Sequence, residues 1–424
     1  PEYNPLNPDV HLRDDLATYT SDAERDSVRQ MTQQRKSATN LTLSNVRKDR
    51  LGKRALKQHL YDIENFSFSY AYSRERNSDD EVDHYHKDQH RGGFTYNYTL
   101  QPVAVKPFDK VKLFRGKAWK ILKEFNFYYL PKNLSFSTEL YRDYEETLLR
   151  NKSAALVILK PTYFKQFTWQ RTYGLQYDLM RSFHIQYSAN ANARIDEPVG
   201  PITSASTDSV WHSLLSGGTM QNFSQTLNIN WDVPINKIPI FDFLRLPLVY
   251  RTTYTFQGAS QATLSLGNTL NVSSTMQVNA TANMNTLYNK WPLLKKAQNY
   301  NFEQAIEKIK GGDNKNTGRK GQGRRTTTGK DSTQRSVNAD SLQHALWAER
   351  LRAAGYFALR FVSGIKNISL QYSVTTGNRL PGFMGSATIL GMDPTKSWNP
   401  GIGYVMGVKR DVAPLLAQRG LLSA

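Results

Sequence analysis

Residues 269 to 285 read Thr-Leu-Asn-Val-Ser-Ser-Thr-Met-Gln-Val-Asn-Ala-Thr-Ala-Asn-Met-Asn. All nine odd positions are Thr, Asn, Ser or Gln, and the eight even ones from Leu270 to Met284 are apolar except Ser274. Side chains of an extended chain alternate between its two faces, so this is a strand with a neutral polar side and an apolar side. It far exceeds the usual length of about five or six residues. The pattern predicts that Leu270, Val272, Met276, Val278, Ala280 and Met284 meet lipid or another apolar surface, while Asn271, Gln277, Asn279 and Asn283 meet water.

The same period extends outward along the chain. Phe66, Phe68, Tyr70 and Tyr72 alternate with serines and Ala71; Phe94, Tyr96, Tyr98 and Leu100 follow, then Leu134, Phe136, Thr138 and Leu140. From 167 to 179 the apolar side is broken only by Arg171, and from 183 to 195 Phe183, Ile185, Tyr187 and three alanines oppose polar residues. The short Met180-Arg181-Ser182 link makes these two a hairpin. Further alternation lies at Leu227 to Val233, Leu248 to Phe256 and Ile368 to Val374. Five of these stretches (167–179, 183–195, 223–233, 246–256 and 268–288) total 69 residues with five charges, where the chain average of 21% would give about 14. A soluble sandwich covers its wet face with Lys and Glu. A wall with lipid on one side and a wet lumen on the other shows instead neutral polar residues opposite aromatic and aliphatic ones.

The expected architecture is therefore all-β: about ten to twelve antiparallel strands in the wall of a transmembrane β-barrel, with a few connector helices. Residues 1–60 hold a connector helix near 21–36 and a first strand, and 61–290 hold the long strands. Residues 291–340 hold a helical connector and a Gly/Thr/Lys/Arg-rich loop at 311–335 expected to be disordered. Residues 341–424 hold further strands and Gly-rich loops after a helix at 341–352. A Lys-rich helix is expected at 115–125, around Trp119, Leu122 and Phe125. Asn236-Lys237-Ile238-Pro239 is echoed by Asn289-Lys290-Trp291-Pro292, each just after a long strand where proline stops the ladder. Counting strands puts both elements and 101–131 on one rim, expected to be periplasmic, and 76–90, 151–165 and 197–218 on the other, expected to be extracellular. Tyr128, Tyr129, Trp169, Tyr173, Trp231, Tyr254, Tyr288 and Trp291 suit interfacial girdles or a core equally well.

The chain of 424 residues carries 55 Lys and Arg against 36 Asp and Glu, a formal charge of +19. That favours acidic surroundings such as anionic lipid. The run at 319–330 lacks the aromatics that stack nucleobases, so nucleic acid is not expected as a partner. Absent cysteine excludes disulfides, Cys-ligated metal and thiol nucleophiles. Mean hydropathy of −0.58 fits no apolar membrane helix but leaves barrels open, because alternation hides them. Neither an initiator Met nor a signal peptide opens the sequence, which reads as an internal piece. No nucleophile elbow, zincin, Walker or dinucleotide motif occurs, and no enzyme activity or cofactor is expected. His84, His86 and His90 with Asp83 and Asp88 have metal-like spacing, but they are read as a solvated loop between strands, with no metal assigned. Glu145-Glu146 and Asp79-Asp80 are adjacent pairs that point apart on an extended chain.

Several ordered stretches resemble one family. They are Asn7-Pro8-Asp9-Val10, Asn45 to Arg50, Glu64 to Ser73, Ala193 to Pro198, Asn236 to Pro239, Ser265 to Thr269, Leu287 to Lys290 and Leu380 to Phe383. Together they resemble the SprA/Sov family, the outer-membrane translocon of the type IX secretion system of Bacteroidota, which is tied to gliding motility. The resemblance implies a cell-surface location and a single-chain antiparallel barrel of about 36 strands, of which this chain would be a sector of a very large transmembrane β-barrel wall, with a lateral opening, a plug protein, a PorV-type barrel partner and folded secreted cargo. It implies a conduit with no catalytic residues. The alternative reading is a secreted β-rich adhesin or structural cell-surface protein.

Overall fold

A computed structural model of the chain describes residues 2–5, 7–49, 59–108, 123–151, 158–312, 334–409 and 411–423. A small ladder of β1 (Tyr3–Asn4) and β2 (Asn7–His11) and two helices, Leu12–Thr18 and Asp22–Thr32, precede the main sheet. Its strands are β3 (Arg35–Val46), β4 (Phe66–Ser78), β5 (Val82–Thr99), β6 (Asn133–Leu149), β7 (Thr162–Met180), β8 (Phe183–Arg194), β9 (Thr219–Val233), β10 (Leu244–Gln257), β11 (Asn268–Asn283) and β12 (Asn367–Phe383). All ten pair antiparallel with their sequence neighbours, in the order β3 to β12, forming one open ten-stranded meander. Among the described residues of this sheet, only the edge strands β3 and β12 lack a second partner.

Several expectations change. The stretch 76–90 is strand rather than solvated loop, because β4 and β5 run on to a turn at 79–81. Asp79 closes that turn by accepting from the backbone N–H groups of Glu81 at 2.9 Å and Val82 at 2.7 Å. β11 stops at Asn283, whose side chain accepts from Thr286 N–H and caps the helix Met284–Tyr288, so Met284 is not a strand residue. Residues 341–424 supply one strand, not several. The first part lies in a long helix, Gln334–Val362, and the segment after β12 coils into two short helices, Ile402–Val405 and Ala413–Gln418. Gly391, Gly401, Gly407 and Gly420 at positive φ turn that segment back on itself. The helix expected at 115–125 and the loop at 311–335 lie almost wholly outside the described residues.

The connections divide between two rims. Among the described residues the lower rim holds 47–49, 59–65, 100–108, 123–132, 181–182, 234–243, 284–312 and 334–366; the upper rim holds 79–81, 150–151, 158–161, 195–218, 258–267, 384–409 and 411–423. The strand count thus places both Asn-Lys-x-Pro elements together. Lys290 of the second donates to the carbonyl of Pro239 in the first and pairs with Asp242 at 2.6 Å. Lys237 pairs with Glu124 at 2.8 Å, bringing the 100–132 connection to the same rim. Long connections gather here, so loop length does not single out the upper rim as extracellular.

The register carries a steady stagger. One row of paired residues starts at Val46, the last residue of β3, and runs through Phe68, Phe94, Thr138, Arg171, Ala191, Phe223, Phe256 and Leu270 to Leu380. Leu380 stands thirteen residues above the lower end of β12 at Asn367. Thirteen residues of about 3.3 Å across nine steps of about 4.8 Å give a ratio near one. The strands therefore lean about 45° from the perpendicular to their rims.

Candidate functional site: two faces and a boundary row

On one face, the lower part of every strand is apolar. Leu41, Leu43 and Val46 of β3 pair with Tyr72, Tyr70 and Phe68 of β4, and the face continues through Phe94, Tyr96 and Tyr98, Leu134 and Phe136, Tyr173 and Leu175, Phe183 and Ile185, Ile229 and Trp231, Leu248 and Tyr250, Met276 and Val278, and finally Leu370 and Tyr372. Much of this band is open: Leu43 is 46% exposed, Phe68 47%, Met276 42% and Leu370 66%. It rises about eight residues above the lower end of each strand, roughly 20 Å at the observed lean. Tyr129, Ile240, Phe241 and Trp291, all exposed in the lower-rim connections, extend the apolar surface.

The band ends at a row of polar side chains eight or nine residues up eight of the ten strands: Arg74, His90, Arg142, Arg171, Gln225, Thr252, Ser274 and Thr376. Upper-rim segments come down to this row. Glu197 meets Arg142 through two bonds of 2.7 and 2.9 Å, the carbonyl of Gly217 accepts from Arg171, and the carbonyl of Gly407 accepts from Ser274. Arg171, the residue that interrupts the alternation, is buried over the Trp169 ring at 4.4 Å.

Above the row the face differs between halves of the sheet. In β8–β12 it is covered by residues 384–423, and Phe223, Tyr254, Phe256, Leu270 and Val272 form a core with Ala387, Met392, Tyr404, Val405, Val412 and Leu416. Leu270 and Val272 thus meet an apolar protein surface. Tyr254 is a core residue, donating to the carbonyl of Gly391 at 3.0 Å; Tyr288 is also buried, whereas Tyr129, Trp231 and Trp291 are open. Tyr404 donates to Asn378 at 3.1 Å, and burial pushes its hydroxyl pKa up to about 12.

In β4–β7 the same level is ionic. His84, His86, Asp88 and His90 share this face but make separate contacts. His86 meets Asp88 at 2.7 Å, His90 meets the Tyr70 hydroxyl at 2.9 Å, and His84 meets Glu146 at 3.4 Å. Arg74 forks onto Asp88. Among the described residues no three His, Asp or Glu side chains converge as metal ligands would.

The opposite face is mainly polar, broken by residues such as Ala71, Phe164 and Val249. In its lower part it presents Ser67, Ser69, Thr95, Asn97, Ser135, Ser137, Gln186, Ser188, Asn228, Asn230, Gln277, Asn279, Ser369 and Gln371. Higher up, several of its charges are paired across strands: Lys36 with Glu75 at 2.8 Å, Lys87 with Glu145 at 3.3 Å, and Arg91 with Glu139 at 2.9 Å. Such a wall hydrates without presenting a strong field of one sign. No family model and no curated protein matches the chain.

Proposed function

We propose that the sheet is one sector of a large outer-membrane β-barrel and that the barrel is a translocon of the SprA/Sov type, passing folded cargo proteins across the outer membrane. The carrying observation is the level apolar band on one face of ten leaning strands, with a neutral polar face behind it. A lean near 45° is what transmembrane strands adopt, and a band of about 20 Å plus its lower-rim aromatics approaches the roughly 25 Å that lipid-facing bands span. In lipid every backbone group must be paired, so the free edges of β3 and β12 would join neighbouring strands to close the wall. The polar face then lines the conduit, and the PorV-type barrel and plug are partners carried by the family resemblance. We assign no catalytic, cofactor or metal role.

One observation favours the second reading, a secreted adhesin-like domain: the apolar face above the boundary row in β8–β12 is covered by the chain's own residues 384–423, as in a soluble sandwich. Fractionation separates the two. The translocon sector stays with outer membranes through alkaline carbonate and needs detergent for release. Release by carbonate alone would favour the adhesin.

A further inference from the structure

The long helix Gln334–Val362 carries apolar residues on two sides, and only one is covered. Leu346, Ala353, Tyr356 and Leu359 are half-buried. This side packs on the helices Pro292–Asn299 and Phe302–Gly312. Tyr356 lies 4.8 Å from the Tyr300 ring, and the Tyr300 hydroxyl donates to Glu349 at 2.8 Å. On the other side Trp347, Leu351, Ala354, Phe357 and Phe361 recur every three or four residues, which is one face of a helix. Trp347 is 65% exposed, Phe357 74% and Phe361 82%. A contiguous stripe of this size marks a surface that is covered by something.

Two observations say what covers it. The helix belongs to the lower-rim connection, where the apolar band begins. From its end the exposed residues Phe361, Ile365, Ile368, Leu370 and Tyr372 lead past Lys366 into that band. The surrounding charge is also mainly positive. Arg350, Arg352, Arg360 and Lys366 are exposed, with Arg352 paired to Glu349 at 3.2 Å, and the sequence from 308 to 335 holds nine Lys and Arg against two Asp. Two copies of such a surface repel each other, whereas anionic headgroups attract it.

We propose that this helix lies in the plane of the membrane interface at the lower rim, with Trp347, Leu351, Phe357 and Phe361 at the boundary of headgroups and acyl chains and its basic neighbours on anionic headgroups. The inference rests on the membrane seat proposed for the sheet, and the test separates the two. The chain has no cysteine, so a nitroxide can be placed singly at Phe357→Cys, Phe361→Cys, Arg352→Cys or Val278→Cys in the intact protein in phosphatidylethanolamine–phosphatidylglycerol vesicles. Collision with oxygen is compared with collision with a water-soluble nickel chelate. The labels at 357 and 361 should be more open to oxygen and less to nickel than the label at 352, and shallower than the oxygen-rich label at 278. Nickel access at 357 and 361 equal to that at 352, with 278 still in lipid, overturns the helix proposal alone. Nickel access at 278 overturns the membrane seat beneath it. Dipolar broadening at 357 would assign the stripe to a second copy and also overturn the proposal. Replacing phosphatidylglycerol with phosphatidylcholine should raise nickel access at 357 several-fold, and unchanged access removes the anionic headgroups from it.

Discussion

Val278 and Asn279 are neighbours on β11 that the pleat sends to opposite faces, and they give the sharpest test of sidedness. Cysteines at Asn271, Gln277 and Asn279 should react with a membrane-impermeant thiol reagent, and one at Val278 should not; the reverse pattern would sink the barrel reading. Arg at Val278 should cost about 2–4 kcal/mol if the residue sits near the midplane, and Lys at Asn279 much less, as read from urea titrations of the folded barrel. Gly407 tests the covered region. It stands at φ +72°, and a Cβ there would fall 2.8 Å from both Ser274 Cβ and Thr252 Oγ1. Gly407→Val should therefore loosen residues 384–423 and make a cysteine at Val272 reactive, while leaving one at Val278 as protected as before. Equal protection at Val272 in both backgrounds would mean that the segment tolerates the change.

At the scale of elements, β11 shows how much was legible. Its alternation announces a strand with two unlike faces, and the hydrogen-bonded register agrees residue for residue from Leu270 to Ala282. Alternation cannot say what covers the apolar side: Leu270 and Val272 under the core and Val278 in the open band have the same period and the same kind of side chain. The covering segment has no period of its own, since glycines and short helices shape it, so its place on the face was not readable. The boundary row was hidden similarly. Arg171 looked like an exception in one strand, and only the stagger aligns it with Arg142, His90 and Gln225 in others. The histidines misled for a related reason. Polar spacing resembles a loop, but cross-strand contacts to Glu146, Asp88 and Tyr70 make it a good strand. The connection 313–333 is a sequence-scale matter, nearly free of apolar side chains that could offset the entropy of ordering. Its deletion should leave the folded protein at normal abundance in the outer membrane, measured by heat-modifiable migration, and loss of that form would show that the segment is needed for assembly.

For the whole molecule, the decisive property is that a single meander of neighbour-paired strands ends in two free edges. β3 is exposed along all twelve of its residues, and among the described residues its outer edge is unpaired, a template for another strand along the regular stretch that precedes the irregularity at Leu43–Val46. The stagger has one sense across the whole sheet, so adding strands at either edge continues the lean and keeps the band level, which is the geometry closure requires. The same meander fixes which connections share a side of any membrane it crosses. The turn at 79–81 and the connection 284–366 are on opposite rims. An epitope inserted at Asp80 and one inserted at Asp313 should therefore differ: on intact cells antibody should reach one and not the other, and permeabilised cells should show both. A tag at Asp80 alone would make the Asn-Lys-x-Pro rim periplasmic, as the strand-counting argument first had it, and a tag at Asp313 alone would invert the barrel without disturbing the sheet. Exposure of both on intact cells would break the parity itself, because no meander of this order that spans a membrane can put both connections on one side.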